Sequence, residues 1–171
     1  MKLFWIGILA GVCLPILAAF LFLASGSMPV ATRGGPLPLE RQIAGFVLHR
    51  AIGHAEDLPS PVPSDERNLV AGAKVYRQQC AVCHGEPGSD ATAIAQGMFP
   101  PPPQLFEKDG VTDDPVGETF WKVKNGIRLT GMPGFAEGLS TTEMWQVSQL
   151  LKNGNQLPAS AKAELARKVG R

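Results

Sequence analysis

The chain has 171 residues, a net charge of +1 and an apolar share of 44%. That length suits one small domain with appendages. With no basic excess and only 7% aromatics, it lacks the charged, stacking surface of a nucleic-acid binder, and no nucleic-acid partner is expected. Its three cysteines are too few for a disulfide framework.

Residues 3–24 (LFWIGILAGVCLPILAAFLFLA) are 22 residues without a charge. As a helix they span about 33 Å, enough for the hydrocarbon core of a bilayer. Pro15 is tolerable in a membrane helix. A cleaved signal is the alternative, with Lys2 as its positive start and Ala24-Ser25-Gly26 as its cleavage site. A signal's apolar region is usually about 7–15 residues, however, so the length favours a retained anchor in the lipid bilayer. Cys13 lies within this run and reads as a small buried or lipid-facing residue. Val12 before it argues against a lipoprotein site.

Residues 25–64 read as a tether, rich in Gly, Ser and Pro at both ends. Between them, Leu39 to Ala55 has helical character. Leu39, Ile43, Phe46 and Val47 fall on one apolar face that would suit a membrane surface or a partner. His49 and His54 are five apart, a poor spacing for one helix face, and read as solvated.

From residue 65 to 156 the pattern is that of a compact helical domain. Ser64 or Asp65 can cap a helix running to about Cys80. Cys80-Ala81-Val82-Cys83-His84 follows. Its C-x-x-C-H spacing suits addition of two thiols to the two vinyl groups of one haem, with His84 offered to the iron. A thioredoxin-like pair would want a βαβ unit, and none is evident. A zinc site needs more ligands, and no Cys or His follows His84.

Pro100 to Pro103 demand an extended loop. Asp114-Pro115 predicts a helix start with Asp as the cap, and Asn125-Gly126 its end. Ser140-Thr141-Thr142-Glu143 is a capping box opening a helix that Asn153-Gly154 ends. Residues 157–171, rich in Ala and Lys, read as a frayed tail. No strand pattern and no repeat is present.

The identity of a sixth iron ligand separates electron transfer from small-molecule chemistry, and a Met sulfur favours the former. Met132, in Gly131-Met132-Pro133, is the first candidate, because Gly lets backbone approach a flat cofactor and Pro stiffens the loop. Met98 is the second, with cavity lining as its plainer role. Met144 faces the predicted core, and Met28 is beside the membrane segment.

With these residues in place, the region from about 65 to 154 resembles class I, cytochrome c-like, mono-haem domains. It looks most like membrane-anchored bacterial c-type cytochromes. The resemblance rests on Ala71-Gly-Ala-Lys-Val-Tyr76, Cys80-Ala-Val-Cys-His-Gly85 and Lys124-Asn-Gly-Ile-Arg-Leu-Thr-Gly-Met-Pro133. It implies an all-α fold around one covalent haem c held by Cys80 and Cys83, with His84 proximal and Met132 distal on the iron. It also implies that the first domain helix crosses the last at Gly72 and Tyr76, and that a prolyl carbonyl among Pro100 to Pro103 accepts the His84 ring N–H. Gln149 stands where the family often has an aromatic, so Trp145 is expected to take over that packing. Arg128 is either a propionate partner or a solvated charge.

The expected function is electron transfer between membrane-bound or periplasmic redox proteins, without catalysis or a small-molecule substrate. Haem attachment of this type occurs on the exported side, so the N-terminus is expected in the cytoplasm and the haem domain in the periplasm. Residues 65–156 carry eight Lys/Arg against eleven Asp/Glu, so docking need not rest on a basic ring. The alternative is a haem subunit held permanently in a larger dehydrogenase or oxidase complex. A sensor or peroxidase-like enzyme would need an open iron and a set of catalytic acids and bases, which the motif lacks.

Overall fold

The computed structural model describes residues 1–107 and 111–167. Among them every regular element is helical, as the sequence predicts, and there is no strand. Two compact units are present, one from Met1 to Leu37 and one from Pro38 onward.

In the first unit, helix α1 runs from Lys2 to Ala24. Its apolar residues surround the axis and reserve no face for a protein core. Pro15 lies inside the helix without ending it. Ser25 closes it: its hydroxyl donates to the Phe22 carbonyl at 2.7 Å and its amide to that of Leu21 at 2.9 Å. The stretch Phe4–Ala24 is long and apolar enough to cross a membrane, by length and composition, and none of it packs inside the protein.

The second unit opens with helix α2, Glu40–Ile52, and a 3₁₀ turn, Gly53–Asp57. The sequence predicts a helix here within a loose tether, but the helix and turn are docked. Ile52 is buried. Gly117 of helix α6 (Val116–Asn125) lies so close that a Cβ would overlap the Ala55 carbonyl oxygen.

Helix α3, Glu66–Val75, starts where expected, with the Asp65 carboxylate accepting the Asn68 amide at 2.9 Å. It does not run unbroken to Cys80. Tyr76–Cys80 widens into a π turn, and a short helix α4 follows, Ala81–His84. Single π turns of this kind are frequent at functional sites. A further short helix, α5, spans Ala93–Gln96.

Helix α7, Thr141–Lys152, opens with the predicted capping box at Ser140 and Glu143. It crosses α3 at Gly72, where a Cβ would overlap the Gln146 carbonyl oxygen. Val147, Ser148 and Leu150 on this face are completely buried. Full burial of one such leucine stabilises by about 1.5–3 kcal/mol.

Three expectations need correction. The Trp145 ring does not fill in for an aromatic at position 149; it stacks on Phe120 of α6, with centroids 3.9 Å apart and planes 5° from parallel. Gln149 reaches instead to the Val62 carbonyl at 3.0 Å, giving the half-buried amide a partner. Pro115, not Asp114, takes the N-cap position of α6, and Asp114 pairs with Lys122 at 3.3 Å. The third concerns the tail read as frayed. Ala159–Leu165 forms helix α8, with Ala161 and Leu165 in the main core. An ion pair of 2.8 Å from Arg77 to Glu164 holds it against the π turn. Residues 168–171 lie outside the described part.

Candidate functional site

One apolar cavity gathers most of the residues that the sequence singles out. Cys80, Cys83, His84, Met98 and Met132 all line it. Its apolar wall comes from Leu105, Val111, Val123, Ile127 and Phe135, closed on one side by the Pro100–Pro103 loop.

The π turn and α4 deliver the two cysteines and His84 to this cavity. Burial, and then the neighbouring Cys83, push the Cys80 thiol up to about 12, so it stays protonated at neutral pH. His84 Nδ1 lies 2.8 Å from the Pro103 carbonyl oxygen. A carbonyl only accepts, so Nδ1 carries the hydrogen and Nε2 keeps its lone pair. Burial lowers the His84 pKa, with the Pro103 bond opposing the shift, and so favours that neutral form. Tyr76 fixes the end of α4 by donating to the Gly85 carbonyl at 2.7 Å, while its ring packs edge-on against Phe106. Gly85 has φ +75°, a left-handed conformation that suits glycine.

The loop 126–134 braces itself. Ile127 donates to the Met132 carbonyl at 3.1 Å, the Met132 amide to Thr130 Oγ1 at 3.1 Å, and that hydroxyl to the Ile127 carbonyl at 2.7 Å. Phe135 then donates to the Val123 carbonyl at 3.0 Å. Gly126 and Gly134 meet backbone to backbone at the neck, leaving no room for a Cβ on either. Leu129, at φ +62°, is almost fully exposed at the tip.

Met98 reaches the cavity from beyond α5. Thr92 ties that helix to the cysteine motif by donating to the Val82 carbonyl at 2.8 Å. The Met98 methyl packs where a Cβ on Gly131 would be, so the two candidate methionines share one corner of the site. Met144 is buried in the helical core, and Arg128 is exposed on the loop.

Two contributors escape sequence reasoning. Leu48 of α2 lines the cavity. With Ile52 one turn later, it forms a second, inward apolar face that the Leu39–Val47 stripe overshadows. Thr119 is buried on the cavity wall, and its hydroxyl has no partner among the described residues.

The residues fit a haem. The walls are apolar, two cysteine sulfurs and a neutral imidazole share the cavity, and a thioether and an orphaned hydroxyl supply polar partners. A helical domain built on such a C-x-x-C-H cavity is a cytochrome c domain. The comparisons agree: residues 67–151 match the family described as cytochrome c oxidase, cbb3-type, subunit III. The chain therefore carries a cytochrome c family domain akin to that subunit.

Among named relatives, the cytochrome c subunit of the quinone alcohol dehydrogenase of Gluconobacter oxydans is 32% identical over 109 residues, covering 58% of this chain and 22% of that protein. The thiosulfate dehydrogenase of Stutzerimonas stutzeri is 28% identical over 102 residues, covering 57% of this chain and 31% of that protein. The matched stretch thus spans less than a third of either relative. A chain of the Kuenenia stuttgartiensis reducing HAO-like protein complex superposes with a TM-score of 0.49 and 21% identity, covering 69% of this chain and 61% of its own.

Proposed function

We propose that this protein is a membrane-anchored mono-haem c-type cytochrome that passes single electrons between redox proteins at the periplasmic face. The observation that carries this reading is the one cavity shared by Cys80, Cys83, a neutral His84 and Met132. There, Cys80 and Cys83 would hold one haem c by thioether bonds, and His84 Nε2 and Met132 Sδ would be the two groups offered to its iron. When bound, the haem supplies one-electron Fe(III)/Fe(II) cycling.

The chain's own residues do the rest. Pro103 fixes the imidazole through its ring hydrogen, and the self-bonded loop 126–134 holds the Met132 thioether ready. Leucines, valines and prolines exclude water from the cavity. Such a pre-set site changes little between oxidation states, as fast electron exchange requires. The chain does no catalysis of its own, and its partners are proteins. The α1 helix keeps it at the inner membrane with its N-terminus in the cytoplasm. A retained anchor confines diffusion to the membrane plane and raises the effective concentration near a membrane partner.

A second reading, a permanent haem subunit of a larger membrane dehydrogenase or oxidase, draws support from the names of the relatives. Mild-detergent purification from native membranes, followed by size analysis and a reductive titration, separates the two. The first reading expects a monodisperse monomer with one single-electron wave. Co-elution with other subunits favours the second. Ready binding of carbon monoxide by the native reduced protein would sink both, because it reveals an open iron.

A further inference from the structure

Helix α2 is apolar on two sides, and only one is used. Leu48 faces the cavity and Ile52 is buried, while Leu39, Ile43, Phe46 and Val47 lie on the other side, each more than half exposed. In water that stripe is a cost with no return inside the chain. We propose that it is a lipid-docking surface: α2 lies in the headgroup region of the bilayer, with this stripe turned into the acyl boundary.

Three observations favour lipid over another protein. The stripe is four exposed side chains on one 13-residue helix and its N-cap, a smaller patch than the roughly 800 Å² per partner that a stable protein interface buries. Residues 25–52 carry Arg33, Arg41 and Arg50 against Glu40 alone, and Arg50 falls one turn beyond Phe46 on the stripe side. Cations flanking a Leu/Ile/Phe face are what anionic headgroups attract. Finally, the 14 residues between Ala24 and Leu39 reach at most about 50 Å when fully extended. The inference rests on the proposed reading that α1 stays in the membrane.

Docking of α2 would also orient the haem domain. The helix and its following turn are rigidly joined to that domain through Leu48, Ile52 and the contact of Ala55 with Gly117. Seating the stripe in lipid therefore sets which side of the cavity faces the membrane plane.

Site-directed spin labelling of the full-length holoprotein in vesicles containing anionic lipid tests this. Cys13→Ser removes the native free thiol, and labels are placed singly at Phe46→Cys, at Leu17→Cys within α1 and at Lys74→Cys, an exposed position on α3. Dissolved oxygen reports lipid, and a water-soluble nickel chelate reports water. The expected oxygen-to-nickel accessibility ratio at positions 17 and 46 exceeds that at 74 several-fold. A lipid ratio at 17 with an aqueous ratio at 46 overturns the docking and leaves the anchor standing. Shielding of 46 from both reagents overturns it in favour of a protein cover. An aqueous ratio at 17 removes the anchor reading, and this inference with it.

Discussion

The Pro103 carbonyl oxygen sits 2.8 Å from His84 Nδ1, and this contact decides which ring nitrogen is left for the cavity. Because the acceptor is backbone, Pro103→Ala should keep it. We expect that variant to accumulate haem-stained protein at close to the parental yield. His84→Ala should accumulate little or none. Equal loss from both would mean that the proline ring, rather than its carbonyl, matters.

Met132 and Met98 share a corner of the cavity, and Met132 sits between Gly131 and Pro133 in a loop that the Thr130 hydroxyl ties to both the Met132 amide and the Ile127 carbonyl. Met132→Leu should abolish the sulfur-to-iron charge-transfer band and lower the reduction potential, with the haem still covalently bound. Met98→Leu should keep the band. The reverse pattern would move the ligand to Met98.

Gly117 admits the Ala55 carbonyl only because it has no side chain. Gly117→Val should push the 53–58 segment away while leaving the α3–α7 crossing intact. Limited proteolysis should then cut between residues 38 and 60 several times faster than in the parent. Unchanged protection would show that α2 is held by something other than this contact.

Leu165 is buried in the core at 4% exposure. Leu165→Ala should cost about 2–4 kcal/mol in urea unfolding. Lys162→Ala, one turn earlier on the exposed side, should stay within about 0.5 kcal/mol. A negligible cost at Leu165 would restore the frayed-tail reading.

The hydrogen bonds from the Ser140 hydroxyl and then the Ser140 amide hold the Glu143 carboxyl below the usual range. A lowered folded-state pKa gives stability that is present above the unfolded value of about 4.3 and is lost as pH falls through the folded one. Ser140→Ala should therefore cost about 1 kcal/mol at neutral pH and flatten the acid side of the stability profile. Thermal melts from pH 7 to pH 3 check the slope.

Where a short motif carries its own geometry, the sequence is readable. The pentapeptide at 80–84, the Ser140–Glu143 capping box, the Asn125-Gly126 stop and Gly72 all act through local bonding or close approach. The features that escaped depend on distant partners. Leu48 looks like part of a tether until Ala55 is found on Gly117. Ala161 and Leu165 are two apolar anchors within an Ala/Lys stretch whose composition suggests fraying. Four consecutive prolines offer equivalent carbonyls, and only the folded path brings that of Pro103 to His84. The π turn at 76–80 has no compositional signature. The exposed stripe on α2 was legible as a pattern, but not its rigid attachment to the cavity.

The division of labour at the site also bears on how related chains can diverge. At Pro103 the working atom belongs to the main chain, so selection acts on the path of the backbone and leaves the side chain free to drift. At Gly72, Gly126 and Gly134 the working feature is an absence, since any Cβ meets main-chain atoms that have nowhere to go. Among homologues, those three glycines should be nearly immovable, while the proline whose carbonyl holds the His84 imidazole is replaced with comparative ease.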